Sequence, residues 1–218
     1  MLTLYGAPAS RAHRVLWMLK ELGLPFHHVP TDFLQGGTRT PDFLRINPNG
    51  RVPVLVDDDR AIFESLAINL YLARKYGGPL APADPWEEGQ AMQWSFWAVT
   101  EVEKLLLLAA CNRFLFPEPD RDPAEFQQMA HRLDRPFRVL DAHLAGRRHV
   151  LGDRFTVADL NIAAMMSLVP LAGFPVDDYP HMAAWLADCL ERSAAADWKP
   201  IRFTVPRPPP ERMLASFV

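Results

Sequence analysis

Three short stretches of this chain carry residue types that could do chemistry together. Ser10 follows the turn-forming run Gly6, Ala7, Pro8, Ala9 and precedes a helical pattern. A hydroxyl there would lie at the positive end of a helix dipole, where a bound thiol is acidified as helix N-terminal cysteines are. Plain helix capping is the alternative, and the two are compatible, because one hydroxyl can accept a bond from the backbone and donate one to a thiolate. Val52-Pro53 opens a β-prone run after Asn47, Pro48, Asn49, Gly50 and Arg51. A cis bond there would turn the N–H and C=O of Val52 outward for strand-like pairing with a bound peptide, although a trans proline at a strand start is the commoner arrangement. Glu64-Ser65 marks a second helix start, with Ser65 at the N-cap position. Helix N-terminal N–H groups and a hydroxyl make a carboxylate site, and the glutamate could take an ammonium. A ligand carrying both an α-amino and an α-carboxylate group would suit that pair, against the commoner case of a plain cap.

The surrounding pattern supplies elements to hold these residues. Leu2, Thr3, Leu4 and Tyr5 read as a strand. Val15, Leu16, Leu19 and Leu22 recur at helical spacing until Gly23, so residues 11–22 are a helix, followed by a second strand at Phe26–Val29. That order with a helical crossover implies a parallel pair. A polar loop over residues 31–49, with one short helix at Pro41–Ile46, leads to a strand over residues 52–56. A turn at Asp57, Asp58, Asp59 and Arg60 closes a hairpin with residues 61–63, and Ser65 opens a helix to Tyr76. The simplest solution to βαβ then ββα is a mixed four-stranded sheet.

Residues 77–85 hold two Gly and three Pro and are the clearest linker; beyond them no strand pattern recurs. Residues 86–116 read as one long helix, residues 123–144 as another starting at Asp122-Pro123, and Pro180 starts a further helix to Glu191. Thr156, Val157, Ala158, Asp159 match a capping box opening a buried helix. Residues 205–210 hold four prolines and read as extended. The expected organisation is an α/β domain over residues 1–77, a linker over 78–86 and an all-helical domain over 87–218.

Composition narrows the function. Of 218 residues, 49% are hydrophobic and 22% charged, ordinary for a globular chain, and the net charge of −3 argues against a generic nucleic-acid binder. The two cysteines, Cys111 and Cys189, belong to no metal or redox motif, which fits a reducing compartment. The seven histidines show no metal-ligand spacing, so no metal is expected. The start of the chain lacks a signal-peptide pattern, and the longest apolar run, residues 105–111, is far short of a bilayer span. A cytoplasmic protein with no membrane partner is the expectation.

The chain resembles the cytosolic glutathione S-transferases over nearly its whole length. Gly6, Pro8, Ala9 and Ser10, followed by Arg14-Val15-Leu16, look like the phi-class start that carries a catalytic serine, with one residue fewer between the serine and Arg14. Asn47, Pro48, Gly50, Val52 and Pro53, then Phe63, Glu64, Ser65, Ala67 and Ile68, look like that family's glutathione-site block. Gly152, Phe155, Thr156, Ala158 and Asp159 are similar to its sixth-helix capping box, so Asp159 is expected to be buried and structural.

The resemblance implies a thioredoxin-like N-terminal domain, a helical-bundle C-terminal domain, glutathione as co-substrate and a homodimer. It implies that Ser10 donates a hydrogen bond to the glutathione thiolate and that Val52, before Pro53, pairs with the cysteinyl part. Glu64 and Ser65 would hold the γ-glutamyl end. Arg39 stands where phi-class proteins have a lysine for the glycyl carboxylate, assisted by Arg51; Thr38 replaces a histidine beside it. A pocket for a hydrophobic electrophile is expected between the domains, with Ala7, Trp97, Arg113 and Phe114 as its candidates. Trp94 is read as core. The implied activity is conjugation, a transferase reaction with detoxification as its setting. Its rivals are a glutathione-dependent peroxidase, reductase or isomerase, or a non-enzymatic binding module.

Overall fold

A computed structural model describes residues 1–195 and 204–209. β1 (Leu2–Tyr5) buries Leu2 and Leu4 and ends at Gly6. Gly6 has a φ of +142°, and a Cβ on it would lie 2.6 Å from that of Ala12, so only glycine lets the turn pass so close to the helix that follows. α1 (Ala12–Glu21) buries Val15, Met18 and Leu19, and β2 (Phe26–Val29) returns parallel to β1. α2 (Pro41–Ile46) is capped by Thr40, whose hydroxyl accepts from the Phe43 N–H. β3 (Val54–Asp57) then runs antiparallel to β1, and β4 (Arg60–Phe63) antiparallel to β3, giving the order β2-β1-β3-β4. This is the mixed four-stranded sheet that the sequence pattern predicts. The third strand starts at Val54, two residues later than the apolar run suggests, because Pro53 has no N–H to give the ladder. α3 (Ser65–Tyr76) packs against α1.

The remainder is helical. The path over residues 86–116 is continuous but not uniform, which corrects the expectation of a single regular helix. α4 (Pro85–Trp97) passes into a π-helical stretch, Ala98–Glu103, then α5 (Lys104–Ala110), then a second π-helical stretch, Cys111–Leu115. α6 (Pro123–Leu144) starts at the Asp122 cap. α7 (Val157–Met166) is buried along its whole length, and α8 (Leu168–Ala172) and α9 (Pro180–Leu190) complete the set. Residues 204–209 carry no regular structure and run beside the second π-helical stretch, with the Val205 N–H donating to the Leu115 carbonyl at 2.9 Å. Pro210, the last residue of the predicted extended tail, lies outside the described residues.

The capping box forms around a carboxylate with no solvent access. Asp159 accepts from the Thr156 N–H at 2.9 Å, the Val150 N–H at 2.8 Å and the Trp185 indole N–H at 2.9 Å. A second buried polar node ties the sheet-bearing part to the helices. Asn69 donates to Asn161 Oδ1 at 2.9 Å and to the Arg14 carbonyl at 3.3 Å, and Asn161 donates to Ser95 Oγ at 2.9 Å. The node links α1, α3, α4 and α7 directly behind Arg14.

Candidate functional site

Ser10 lies two residues before the first residue of α1. Its hydroxyl oxygen accepts from the Ala12 N–H at 3.1 Å, and its proton is given to the Ala7 carbonyl at 2.7 Å. The hydroxyl is therefore fixed at the positive end of α1, where the dipole favours an anion. The neighbouring ring of His13 lies with its nitrogens 2.8 Å from the Ser10 carbonyl and 3.0 Å from the Ala164 carbonyl of α7. Burial, helped by the Arg14 charge, pushes the His13 pKa down to about 4. The ring is neutral at physiological pH and holds the Ser10 turn against the helical part.

The loop before β3 is organised by Asn47. Its side-chain N–H donates to the Arg51 carbonyl at 2.7 Å, and its Oδ1 accepts from the Asn49 N–H at 3.1 Å. The Val52-Pro53 bond that follows is cis. Gly50 has a φ of +62°, and a Cβ there would lie 2.6 Å from a guanidinium nitrogen of Arg39. Glycine at this position lets Arg39 lie across the loop.

Glu64 is exposed and has a φ of 72°, a region that non-glycine residues rarely occupy and that tends to persist at functional sites. It, and not Ser65, stands at the N-cap position of α3. Ser65 is the first helical residue, 4% exposed, and its Oγ accepts from Arg14 Nη1 at 3.3 Å. The expected N-cap role of Ser65 is thereby corrected: Arg14 has turned the hydroxyl inward, and the first-turn N–H groups of α3 stay open to an external acceptor.

Two adjoining cavities of about 510 and 590 Å³ share Arg11, Arg14, Arg51, Val52 and Glu103. The first also holds Ser10, Thr38 and Arg39; the second holds Pro53, Glu64 and Ser65. All seven residues expected at the catalytic and peptide-binding positions thus face one cleft. The four expected at the co-substrate pocket do not line either cavity. Ala7 serves the Ser10 turn through its carbonyl, Trp97 packs edge-on to Trp94 at 5.0 Å, Arg113 lies over the Phe126 ring at 5.8 Å, and Phe114 packs against the core. Leu107, Cys111, Leu115, Met165 and Leu168 form the apolar wall instead. Trp94 is core, as expected.

Sequence reading missed Glu103 and with it the electrostatic centre of the cleft. One oxygen, Glu103 Oε1, accepts from Arg11 Nε at 2.5 Å and Arg14 Nη2 at 2.8 Å. Burial works to raise the Glu103 pKa, but the Arg14 and Arg11 charges overcome it and hold the carboxyl at about 2. Arg14, 4% exposed, is itself lowered by burial against the pull of Glu103. No local signal marks Glu103, because its partners are 89 and 92 residues away. A carboxylate whose folded pKa is depressed stabilises the fold above its unfolded value, roughly 4.3, and loses that contribution as pH falls towards the folded value. Wild-type protein is therefore expected to melt above Glu103→Gln at pH 7, with the gap closing below about pH 4.5. A gap that stays constant in melting temperatures taken from pH 7 to pH 3 would refute the ion-pair assignment.

Comparison with known proteins agrees along the chain. The family model described as "Glutathione S-transferase, N-terminal domain" matches residues 1–74, and that described as "Glutathione S-transferase, C-terminal domain" matches residues 103–193. Glutathione S-transferase 3 of Zea mays is 37% identical, over 96% of this chain and 96% of its own length. Among solved structures, glutathione transferase F7 from Populus trichocarpa superposes with a TM-score of 0.82 at 28% identity, covering 91% of this chain and 97% of that one. The theta-class glutathione S-transferase from the citrus canker pathogen Xanthomonas axonopodis pv. citri, solved with glutathione bound, superposes with a TM-score of 0.80 at 27% identity, covering 92% and 99%.

Proposed function

The chain belongs to the glutathione S-transferase family, and on that premise we propose that it ionises glutathione at Ser10 and delivers the thiolate to a hydrophobic electrophile. The observation that carries this reading is that two helix N-termini, those of α1 and α3, open onto one cleft with Val52 between them. Glutathione has matching anions at its thiolate and its γ-glutamyl carboxylate. In this reading Glu64 takes the γ-glutamyl ammonium, and Ser65 with the first turn of α3 takes the α-carboxylate. The Val52 backbone pairs with the cysteinyl unit, and Arg39 and Arg51 meet the glycyl carboxylate. The Ser10 proton, given to Ala7 in this structure, turns about the Cβ–Oγ bond to face sulfur while the oxygen keeps its bond from Ala12.

The electrophile would lie against the wall of Leu107, Cys111, Leu115, Met165 and Leu168. Cysteine-based disulfide exchange is disfavoured as the main activity. Positions 6–11 have no cysteine, and burial pushes the Cys111 thiol up to about 12, so it stays protonated and unreactive. The proposal keeps the division into residues 1–77, 78–86 and 87–218 and a cytoplasmic setting; none of the described helices is long and apolar enough to cross a membrane. It also includes a homodimer, in which a second copy covers the exposed Met92, Phe96 and Val99.

Immobilised glutathione should retain the protein and free glutathione should release it. Aryl halides, activated alkenes, hydroperoxides and mixed disulfides can then be compared as substrates. Failure to be retained would overturn the reading. Retention with turnover of only peroxides or disulfides would select the alternative chemistry, and retention with no turnover would leave a binding module.

A further inference from the structure

We propose that Val205 is a specificity-determining residue for the electrophile, selecting the length of its apolar chain, and that Arg207 is the positioning residue that holds Val205 in the cavity wall. The inference rests on the proposed function and deepens it by naming what sets the size of the electrophile. Val205 lines the cavity that holds Ser10, together with Cys111, Leu115, Met165 and Leu168. Burial alternates along its segment: Val205 and Arg207 are half-buried, whereas Thr204 and Pro206 are exposed. A period of two is that of extended backbone, so Val205 and Arg207 turn to the same side, onto the helical part.

Two anchors fix this strap. The Val205 N–H donates to the Leu115 carbonyl at 2.9 Å. Leu115 ends the second π-helical stretch, where carbonyls lack a helical partner, so the bond satisfies the helix end as well as the strap. The second anchor is the Arg207 guanidinium. It donates to the Asp120 carbonyl at 2.7 Å, to Glu125 Oε1 at 2.7 Å and to Asn112 Oδ1 at 3.3 Å, and it lies over the Phe116 ring at 5.6 Å. Asn112, 5% exposed, in turn donates to Glu125 Oε2 at 3.0 Å. Arg207, Asn112 and Glu125 thus close a ring that joins the strap to α6 and to the π-helical stretch whose Cys111 and Leu115 face the cavity. Pro206 and Pro208 flank Arg207 and restrict the backbone beside it. Val205 therefore offers the cavity a fixed apolar surface, and a chain long enough to reach it gains contact that a short one does not.

S-alkylglutathiones test this, because they combine the glutathione part with an apolar chain of chosen length. Their affinities for the full-length protein are measured by calorimetry, from S-methylglutathione to S-hexylglutathione. Wild-type affinity should rise with chain length. Val205→Ala should cut the preference for S-hexyl over S-methyl roughly three-fold, slightly less than the value of one buried methylene, with S-methylglutathione affinity within about two-fold of the wild type. Arg207→Gln should cut the preference at least as much, although Arg207 does not line the cavity. Arg207→Lys, which keeps a charge for Glu125, should recover at least half of the loss. A role for Arg207 in stability alone would leave the preference as it is. If Arg207→Gln melts early, Val205→Ala decides, since it leaves every hydrogen bond of the strap in place. A wild-type affinity that does not rise with chain length, or a preference unchanged in Val205→Ala, would overturn this inference, while binding of S-methylglutathione leaves the proposed function standing. A preference lost in Val205→Ala but kept in Arg207→Gln would overturn the positioning role of Arg207. Failure of the wild type to bind any S-alkylglutathione would overturn both the inference and the proposed function.

Discussion

Replacing Ser10 with alanine is expected to raise the pKa of bound glutathione by about two units and to make turnover strongly pH-dependent. A free thiol ionises near 8.5, and a hydrogen bond from the Ser10 hydroxyl would bring it to roughly 6.5. At pH 6.5 the variant would then hold about fifty-fold less thiolate. A more basic thiolate is also a better nucleophile, which returns several-fold of that loss. The net expectation is a fall in kcat of about ten-fold at pH 6.5, shrinking towards parity by pH 8.5. The glutathione KM should move little, because Glu64, Ser65, Val52 and Arg39 lie elsewhere along the cleft. Thiolate absorbance and kcat measured on one pH series decide the matter. Equal pH profiles for variant and wild type would remove Ser10 from catalysis and leave the backbone N–H groups of α1 as the activating dipole.

The largest stability effect is expected at Asp159, far from the chemistry. Alanine there removes the acceptor of three buried N–H donors at once: the backbones of Thr156 and Val150 and the indole of Trp185. It also removes the Asp159 half of the capping box of α7, a helix buried along its whole length. Burial opposes ionisation of Asp159, but His149, the Val150 N–H and its other donors outweigh it and hold the carboxyl below its ordinary value. Leaving several buried donors unpaired costs about 3–5 kcal/mol, or a loss of roughly 10–15 °C in melting temperature for a chain of this size. Asp159→Asn retains one side-chain oxygen and should lose about half as much. Whatever Asp159→Ala protein remains folded should turn over substrate at the wild-type rate. A drop of only a degree or two, or a loss of kcat at unchanged melting temperature, would contradict the structural role.

Much of this was legible because it is local. The period of Val15 and Leu19, the turn glycines, the proline that opens the third strand, and the Thr156–Asp159 box each state their conformation within a few residues. The order of the motifs made them a site, although each alone had a commoner reading. The co-substrate wall was not legible, because the side of a helix that faces a cleft depends on its exact winding. Glu103, Leu107, Cys111 and Leu115 line the cleft at intervals of four. Every fourth residue of an α-helix advances about 40° beyond a full turn, so such a row should wind away. The wider turns of the two π-helical stretches lag instead and hold the row on one face. Trp97, Arg113 and Phe114, chosen for residue type along an assumed regular helix, are turned elsewhere.

By itself the sequence determined the mixed sheet, the helical second half and the two helix starts that carry Ser10 and Glu64. All of these follow from backbone preferences expressed over a few residues. Tertiary structure alone decided that Glu103 would reach back to Arg11 and Arg14, that Ser65 would leave its cap to meet Arg14, and which aliphatic residues would wall the cleft. Those outcomes depend on charges and helix faces that meet only once residues far apart in the chain are packed and water is excluded. Burial strengthens such long-range pairs enough to override the local preference of the residues involved.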